Sequence, residues 1–211
     1  MSIHSKPLSD YLQGLALRDE DPILAEMHAL AREKGFPIIG PEVGRFLFQL
    51  ASLMGAQRIF ELGSGFGYSA LWFSRALPEN GEIYLTDGDP ENTKLSKEFL
   101  ARAGQAEKAT FLGGYAQDLL QVTPGLFDIV FCDIDKEQYP EIPDLLGNHL
   151  RVGGALVIDN LIWGGDVADP QNREISTQGI RAFTDRIWNS PDYLCSLLPI
   201  RDGVGLCLRL R

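Results

Sequence analysis

The chain has 211 residues, 45% of them hydrophobic, which is ample for one α/β domain and short for two. A formal net charge of −10 gives no basic footprint for a general nucleic-acid binder and disfavours an anionic membrane surface. Three cysteines without C-x-x-C spacing, no apolar leader after Met1 and no apolar run of membrane-spanning length fit a soluble protein of the cytoplasm.

Asp21 can cap a helix with Pro22 at its first position, and Ile23, Leu24, Met27, Leu30 and Ala31 recur at helical spacing. A second helix opens near Pro41, carries Val43, Phe46, Leu47, Leu50 and Met54, and stops at Gly55. Strands and helices then alternate: strand 58–62, helix 68–77, strand 82–86, helix 90–103, strand 109–112 and a short helix 116–121. Strand 127–132, helix 139–150, strand 155–158 and helix 175–189 follow. Repeated βα units predict a mostly parallel sheet with helices on both faces. Segments 193–198 and 204–210 flank Arg201-Asp202-Gly203, a hairpin signal, so an antiparallel hairpin is expected to close the sheet. The two early helices fall outside the repeat. Residues 1–40 are expected to form a helical lid over the sheet's carboxyl edge, within a single domain spanning 1–211.

Two apolar strands break on carboxylates: one runs into Asp133-Ile134-Asp135-Lys136, the other into Asp159-Asn160. In an open parallel sheet, ligands bind beyond the carboxyl ends of the strands. Asp133, Asp159 and Asn160 offer oxygen ligands alone, which suit Mg²⁺, Mn²⁺ or Ca²⁺ over zinc. None of His4, His28 and His149 falls at these strand ends. A third strand end leads into Gly63-Ser64-Gly65-Phe66-Gly67, where backbone can approach a ligand closely. Tyr68 stands where a dinucleotide fingerprint needs its last glycine, so a pyrophosphate cradle is not expected. Glu61 would repel a diphosphate but suits a cationic ligand, and Asp87 is placed to accept bonds from ribose hydroxyls. An adenosine bearing a positive charge, such as S-adenosylmethionine, meets all three conditions. Each motif also has a plainer reading: a tight turn capped by Ser64, a surface pair of Lys136 with Asp135 or Glu137, or an ordinary turn at Asp159-Asn160.

Taken in order, five blocks resemble the metal-dependent O-methyltransferases of the catechol and caffeoyl-CoA type, in their bacterial branch. The blocks are Glu61–Ser69, Asp87 with Asp89-Pro90, Asp133–Lys136, Asp159-Asn160, and Trp163 through Asp169-Pro170. The resemblance runs from about Pro41 to the C-terminus. It implies the Rossmann-like methyltransferase fold with a seven-stranded sheet, S-adenosylmethionine as cofactor, a divalent cation held by Asp133, Asp159 and Asn160, and a homodimer. The cofactor side it implies comprises Glu61, Gly63, Ser64, Gly65, Gly67, Tyr68, Ser69, Asp87 and Gly114, then Ala116 and Gln117 beside the adenine, with Asp133 and Ile134. The substrate side comprises Ile39, Lys136, Asn160 and Trp163. Lys136 is the expected general base, and Trp163 serves as an aromatic wall or as a plug on its loop.

The chemistry implied is methyl transfer to a hydroxyl of a catechol or other phenolic small molecule. A phenol titrates near pH 10, so only about one molecule in a thousand is ionised at neutral pH. A chelating divalent ion lowers that barrier. A lysine serves as base when a nearby dication and burial loosen its proton. Two departures bear on substrate. Asp166 stands where many members of the family carry a basic residue, and only Lys6, Arg18, Arg32 and Lys34 are basic before Pro41. A free catechol is therefore favoured over a coenzyme A thioester, which needs phosphate-binding cations. Methylation of a hydroxylated uridine in transfer RNA, nicotinamide-dependent dehydrogenation and non-catalytic metal binding are the rival readings.

Overall fold

The computed structural model describes residues 5–18 and 21–211. Its elements run α1 (Lys6–Ala16), α2 (Pro22–Lys34), α3 (Gly40–Met54), β1 (Arg58–Leu62), α4 (Tyr68–Ala76), β2 (Glu82–Asp87), α5 (Pro90–Arg102), β3 (Ala109–Gly113), α6 (Ala116–Val122) and β4 (Phe127–Cys132). The chain continues through α7 (Ile142–His149), β5 (Leu150–Ile158), α8 (Ile175–Trp188), β6 (Tyr193–Leu198) and β7 (Val204–Arg209). The seven strands form one sheet in the order β3-β2-β1-β4-β5-β7-β6. β7 runs antiparallel to both β5 and β6, and every other pair is parallel. Among the described residues, no helix is long and apolar enough to cross a membrane. The expected seven-stranded, mostly parallel architecture with a closing hairpin is the one observed.

Alternation along the strands sorts the core into two layers. Ile129 and Phe131 of β4 pack with α2, α3, α4 and α5, while Val130 and Cys132 pack with α6, α7 and α8. The caps follow sequence: Asp21 Oδ1 accepts from the Ile23 amide at 2.8 Å, and Gly35 and Gly55 end α2 and α3 in left-handed conformation. Ion pairs Asp21–Arg75 and Glu26–Arg102 pin α2 to the helices beneath it.

Several sequence expectations need correction. A helix unread in the sequence, α1, precedes the two expected ones; residues 1–4, 19 and 20, including His4, lie outside the described residues. The expected lid helices are also part of the core: Val43, Leu47 and Ala51 of α3 and Leu24 and Met27 of α2 are buried on the sheet face. The run 139–150 is not one helix. A 3₁₀ turn at Lys136–Glu141 contains Pro140, α7 starts afresh with Pro143 in its first turn, and Leu150 already belongs to β5. β5 thus starts before Ala155. Its register breaks, since Leu150 pairs with Phe127 while Ala155 pairs with Ile129. The hairpin turn spans residues 199–203 rather than a tight Asp-Gly pair, with Arg201 at φ +49° and Gly203 at φ +90°.

Candidate active site

The carboxyl ends of β1, β2, β4 and β5 open into a cavity of about 770 Å³. Most residues singled out from sequence line it: Ile39, Gly63, Ser64, Gly65, Tyr68, Ser69, Asp87, Gly114, Ala116, Gln117, Asp133, Ile134, Lys136, Asp159, Asn160 and Trp163. Glu61 and Gly67 do not. Glu61 is enclosed beneath the glycine loop, and Gly67, at φ +88°, starts α4 with no space for a side chain against Ser96. Neither His28 nor His149 lines this cavity.

The glycine loop is fixed by reciprocal bonds to β2. Ser64 N donates to Thr86 O (2.8 Å), Thr86 N donates to Ser64 Oγ (3.1 Å), and Gly63 N donates to Thr86 Oγ1 (3.1 Å). The Thr86 hydroxyl in turn donates to Glu61 O at 2.7 Å. Gly63 takes φ +82°, and a Cβ there would lie 2.5 Å from Asp133 O, so glycine is required by both torsion and contact. The Glu61 carboxyl is fully buried, and neither oxygen finds a hydrogen-bond partner. Burial pushes it up to about 8; the Ser64 and Ser69 hydroxyls alongside pull the other way, and the charge of Asp133 adds to the rise. Asp87 Oδ1 accepts from Asp89 N (2.7 Å) and Asn92 Nδ2 (3.2 Å). Gln117 is buried, donates to Tyr115 Oη and Gln138 Oε1, and keeps its own Oε1 unpartnered.

The acidic side is built differently. The ladders continue past the strands, with Asp133 N donating to Leu62 O (2.9 Å) and Asp159 N to Cys132 O (3.1 Å), which places both carboxylates at one edge. Buried Lys136 donates from Nζ to Asp133 Oδ1 (2.8 Å) and Ile134 O (3.0 Å), and its ammonium lies 5.1 Å from the Tyr139 ring centroid and 5.8 Å from that of Trp163. Lys136 is therefore tied into the site and does not pair with Asp135 or Glu137. Asp159 is buried with Oδ1 unpartnered; burial first, then the charge of Asp133, pushes its carboxyl up to about 7. Asn160 adopts φ +61° and Trp163 φ +50°, conformations that a loop holds only when its surroundings dictate them.

The residues that impose them went unread in the sequence. Asp202, in the turn before β7, accepts from Gly164 N through Oδ1 (2.7 Å) and from Ile162 N through its carbonyl (2.9 Å), with a long 3.5 Å contact to Asn160 Nδ2. Tyr139 donates its hydroxyl to Asp159 O at 2.9 Å. Arg181 donates to the carbonyls of Val167 and Asn172 and holds the following loop. Thr86, Gln138, Tyr139 and Asp202 act through hydrogen bonds to residues distant in the chain, which leave no spacing signal. Asp166 is exposed and lines no part of this cavity.

The residues present suit two kinds of ligand. The buried Glu61 carboxyl beneath the glycine loop, ionised once a positive charge comes near, suits a cationic small molecule. Asp133, Asp159 and the Asn160 amide are a hard, oxygen-only donor set with one buried oxygen unsatisfied. Among the described residues, no group of three or more His, Cys, Asp or Glu side chains is gathered to hold a metal, so any cation here depends on the Asn160 amide and on further oxygen ligands. A second cavity of about 1170 Å³ adjoins the first, shares Ile39, Asp159 and Asn160 with it, and is lined also by Arg32, Arg45 and Arg201.

The O-methyltransferase family model matches residues 16–210. A catechol O-methyltransferase from Niastella koreensis is 36% identical over 179 residues, covering 82% of this chain and 80% of that protein. Tricin synthase 2 from Oryza sativa subsp. japonica is 33% identical over 223 residues, covering 99% and 76%. Among solved structures, the O-methyltransferase TomG from Streptomyces achromogenes, involved in tomaymycin synthesis and in complex with SAM, superposes with a TM-score of 0.88 at 30% identity, covering 97% of this chain and 96% of that one. An O-methyltransferase from Bacillus cereus in complex with SAH gives 0.87 at 25% identity, covering 96% and 97%.

Proposed function

The chain belongs to the O-methyltransferase family, and on that premise we propose that it moves the methyl group of S-adenosylmethionine to a hydroxyl of a catechol-type small molecule, assisted by a divalent cation. One observation carries this reading: the buried Asp159 carboxyl, with an oxygen that no protein donor satisfies, borders the same cavity as the glycine loop, and the buried Glu61 carboxyl lies beneath that loop. Buried anionic groups of this kind call for cationic partners.

A cationic ligand over the glycine loop would draw the Glu61 carboxyl, raised to about 8 by burial, into its ionised form, and Gly63 and Gly65 line the cavity there. Asp87 offers its second carboxylate oxygen to ribose hydroxyls. Ala116 and Ile134 border the adenine, and the free Oε1 of Gln117 gives its amine an acceptor. The bound cofactor supplies an electrophilic sulfonium methyl. Asp133, Asp159 and Asn160 would hold the cation, which supplies Lewis acidity toward vicinal hydroxyls. Lys136, once Nζ has released a proton to solvent and stands as the neutral amine, receives the acceptor's proton there, and the carboxylate of Asp133 keeps that nitrogen in place. Ile39 and Trp163 flank the acceptor and exclude water. Residues that hold the acceptor hydroxyl toward a bound sulfonium methyl would contribute several kcal/mol to the barrier reduction.

A second reading rests on the adjoining cavity. In the fold Arg45 and Arg201 line this cavity with Arg32, which offers an acyl-CoA thioester two cations beyond those before Pro41. The discriminating experiment follows labelled methyl transfer to a simple catechol, to caffeoyl-CoA and to bulk transfer RNA, each with and without EDTA. Transfer to the catechol, lost in EDTA and restored by Mg²⁺, is expected. Full transfer in EDTA removes the cation; transfer to the thioester alone selects the second reading; transfer to RNA alone overturns both.

A further inference from the structure

Cys195 and Cys207 stand directly opposite one another on the β6–β7 hairpin. The bond from Leu210 N to Asp192 O fixes the phase of this ladder. Pairs 192–210, 194–208 and 196–206 therefore exchange backbone hydrogen bonds, and Cys195–Cys207 is a pair of the other kind. Cα atoms in such pairs approach to about 4.5 Å, inside the range of roughly 4.4–6.8 Å that a disulfide spans. Both thiols are free and lie on one sheet face, beneath the last turn of α8 at Ile187.

The two differ in access and acidity. Cys195 is partly exposed, whereas Cys207 is buried. The closeness of the two thiols lowers Cys195 and raises Cys207, and burial adds to the rise at Cys207. A neighbour that donates to a thiolate favours it, and the thiolate is the reactive form. Cys132 provides the contrast: it is buried in β4, with its thiol pushed up to about 12 by burial.

We propose that Cys195 and Cys207 form an oxidisable dithiol site, at which hydrogen peroxide closes a reversible disulfide across the hairpin. Cys195 sulfur attacks the peroxide oxygen, forms a sulfenic acid and releases one water. Cys207 sulfur then attacks the sulfenic sulfur, forming the S–S bond and releasing the second water. Two thiols lose two hydrogens and two electrons, and the peroxide is reduced to water. A small dithiol reverses the step by exchange at the partly exposed Cys195. The bond would lie on the strands whose turn carries Asp202, the residue that braces the Asn160–Gly164 loop. Nothing in the site's formation depends on the methyl-transfer reading.

The test treats the native protein with hydrogen peroxide, then unfolds it in the presence of an alkylating agent to block remaining thiols, and maps the peptides without reduction. Expected are a loss of two hydrogens, a peptide joining Cys195 to Cys207, full reversal by dithiothreitol, an alkylated Cys132 and unchanged far-UV circular dichroism. Cys195→Ser should abolish the mass loss and leave Cys207 reduced. Three thiols still free would overturn the proposal. So would Cys195 oxidised to a sulfinic acid beside a free Cys207, a link between two chains, or a disulfide that forms only as the circular dichroism collapses.

Discussion

The two halves of the cavity are built on opposite principles. On the β1–β2 side, Gly63, Ser64 and Thr86 satisfy one another through short backbone and hydroxyl bonds, and the loop's shape is complete without a ligand. On the β4–β5 side, Asp133 and Asp159 repel, Asp159 Oδ1 has no partner, and Asn160 and Trp163 are held in left-handed conformations. One half presents a finished loop over the buried Glu61; the other presents unbalanced charge at the cavity wall that a ligand must complete. Substitutions should therefore act on binding and folding in the first half and on turnover in the second.

The largest effect is expected at Lys136. Lys136→Met should lower kcat by about 10²–10⁴-fold, in line with loss of a general base, while the affinity for S-adenosylhomocysteine measured by calorimetry stays near wild type. Equal losses in both would erase the division between the halves.

Glu61 tests the first half through pH. Its carboxyl is raised in the folded, ligand-free protein to about 8 from an ordinary 4.5, so between those values the native state keeps a proton that the unfolded chain has lost. Stability therefore falls as pH rises through that window, with a slope approaching about 1.4 kcal/mol per pH unit from this one group. Urea unfolding of wild type and Glu61→Gln at several pH values reads the difference. Parallel curves would show that Glu61 is as ionisable folded as unfolded.

Gly63→Ala should follow, at about 2–3 kcal/mol of destabilisation from the left-handed torsion and the clash with Asp133 O. Its denaturation midpoint should fall; an unchanged midpoint would mean that the loop can move away from β4. Thr86→Val is the smallest, about 1–2 kcal/mol, because it strands the Gly63 amide while keeping the side-chain volume. That loss should appear in unfolding and in weaker cofactor binding, with kcat at saturation retained. A fall in saturated kcat would mean that the first half also acts in turnover.

How much of this was legible in the sequence depends on how each residue acts. The strands were readable because buried parallel strands are continuous apolar runs, as at Phe127–Cys132. The site residues stood out because they interrupt those runs: Asp133, Asp159 and Asn160 follow the last apolar residue directly. Helix α1 went unread because Leu8, Tyr11, Leu12 and Leu15 are exposed, so its pattern is not reinforced by the core. Helix α7 was misjudged because Pro140 and Pro143 break a run of otherwise helical composition. Glu61 was recognised as anionic, but its enclosure beneath the loop depends on how β1 and α4 pack. Thr86 and Asp202 come to their partners from 22 and 38 residues away in the chain, and local spacing carries no trace of such contacts.

The register break in β5 works as an expansion joint. Five steps from Leu150 to Ala155 face two steps from Phe127 to Ile129, so the slack lies in Arg151–Gly154. A residue gained or lost there can be absorbed before Ala155 meets Ile129. The same edit between Ala155 and Ile158 would turn every later side chain to the opposite layer, carrying Asp159 out of the cavity. The frame that aims the acidic cluster therefore begins at Ala155, and the first half of the strand is free to vary in length.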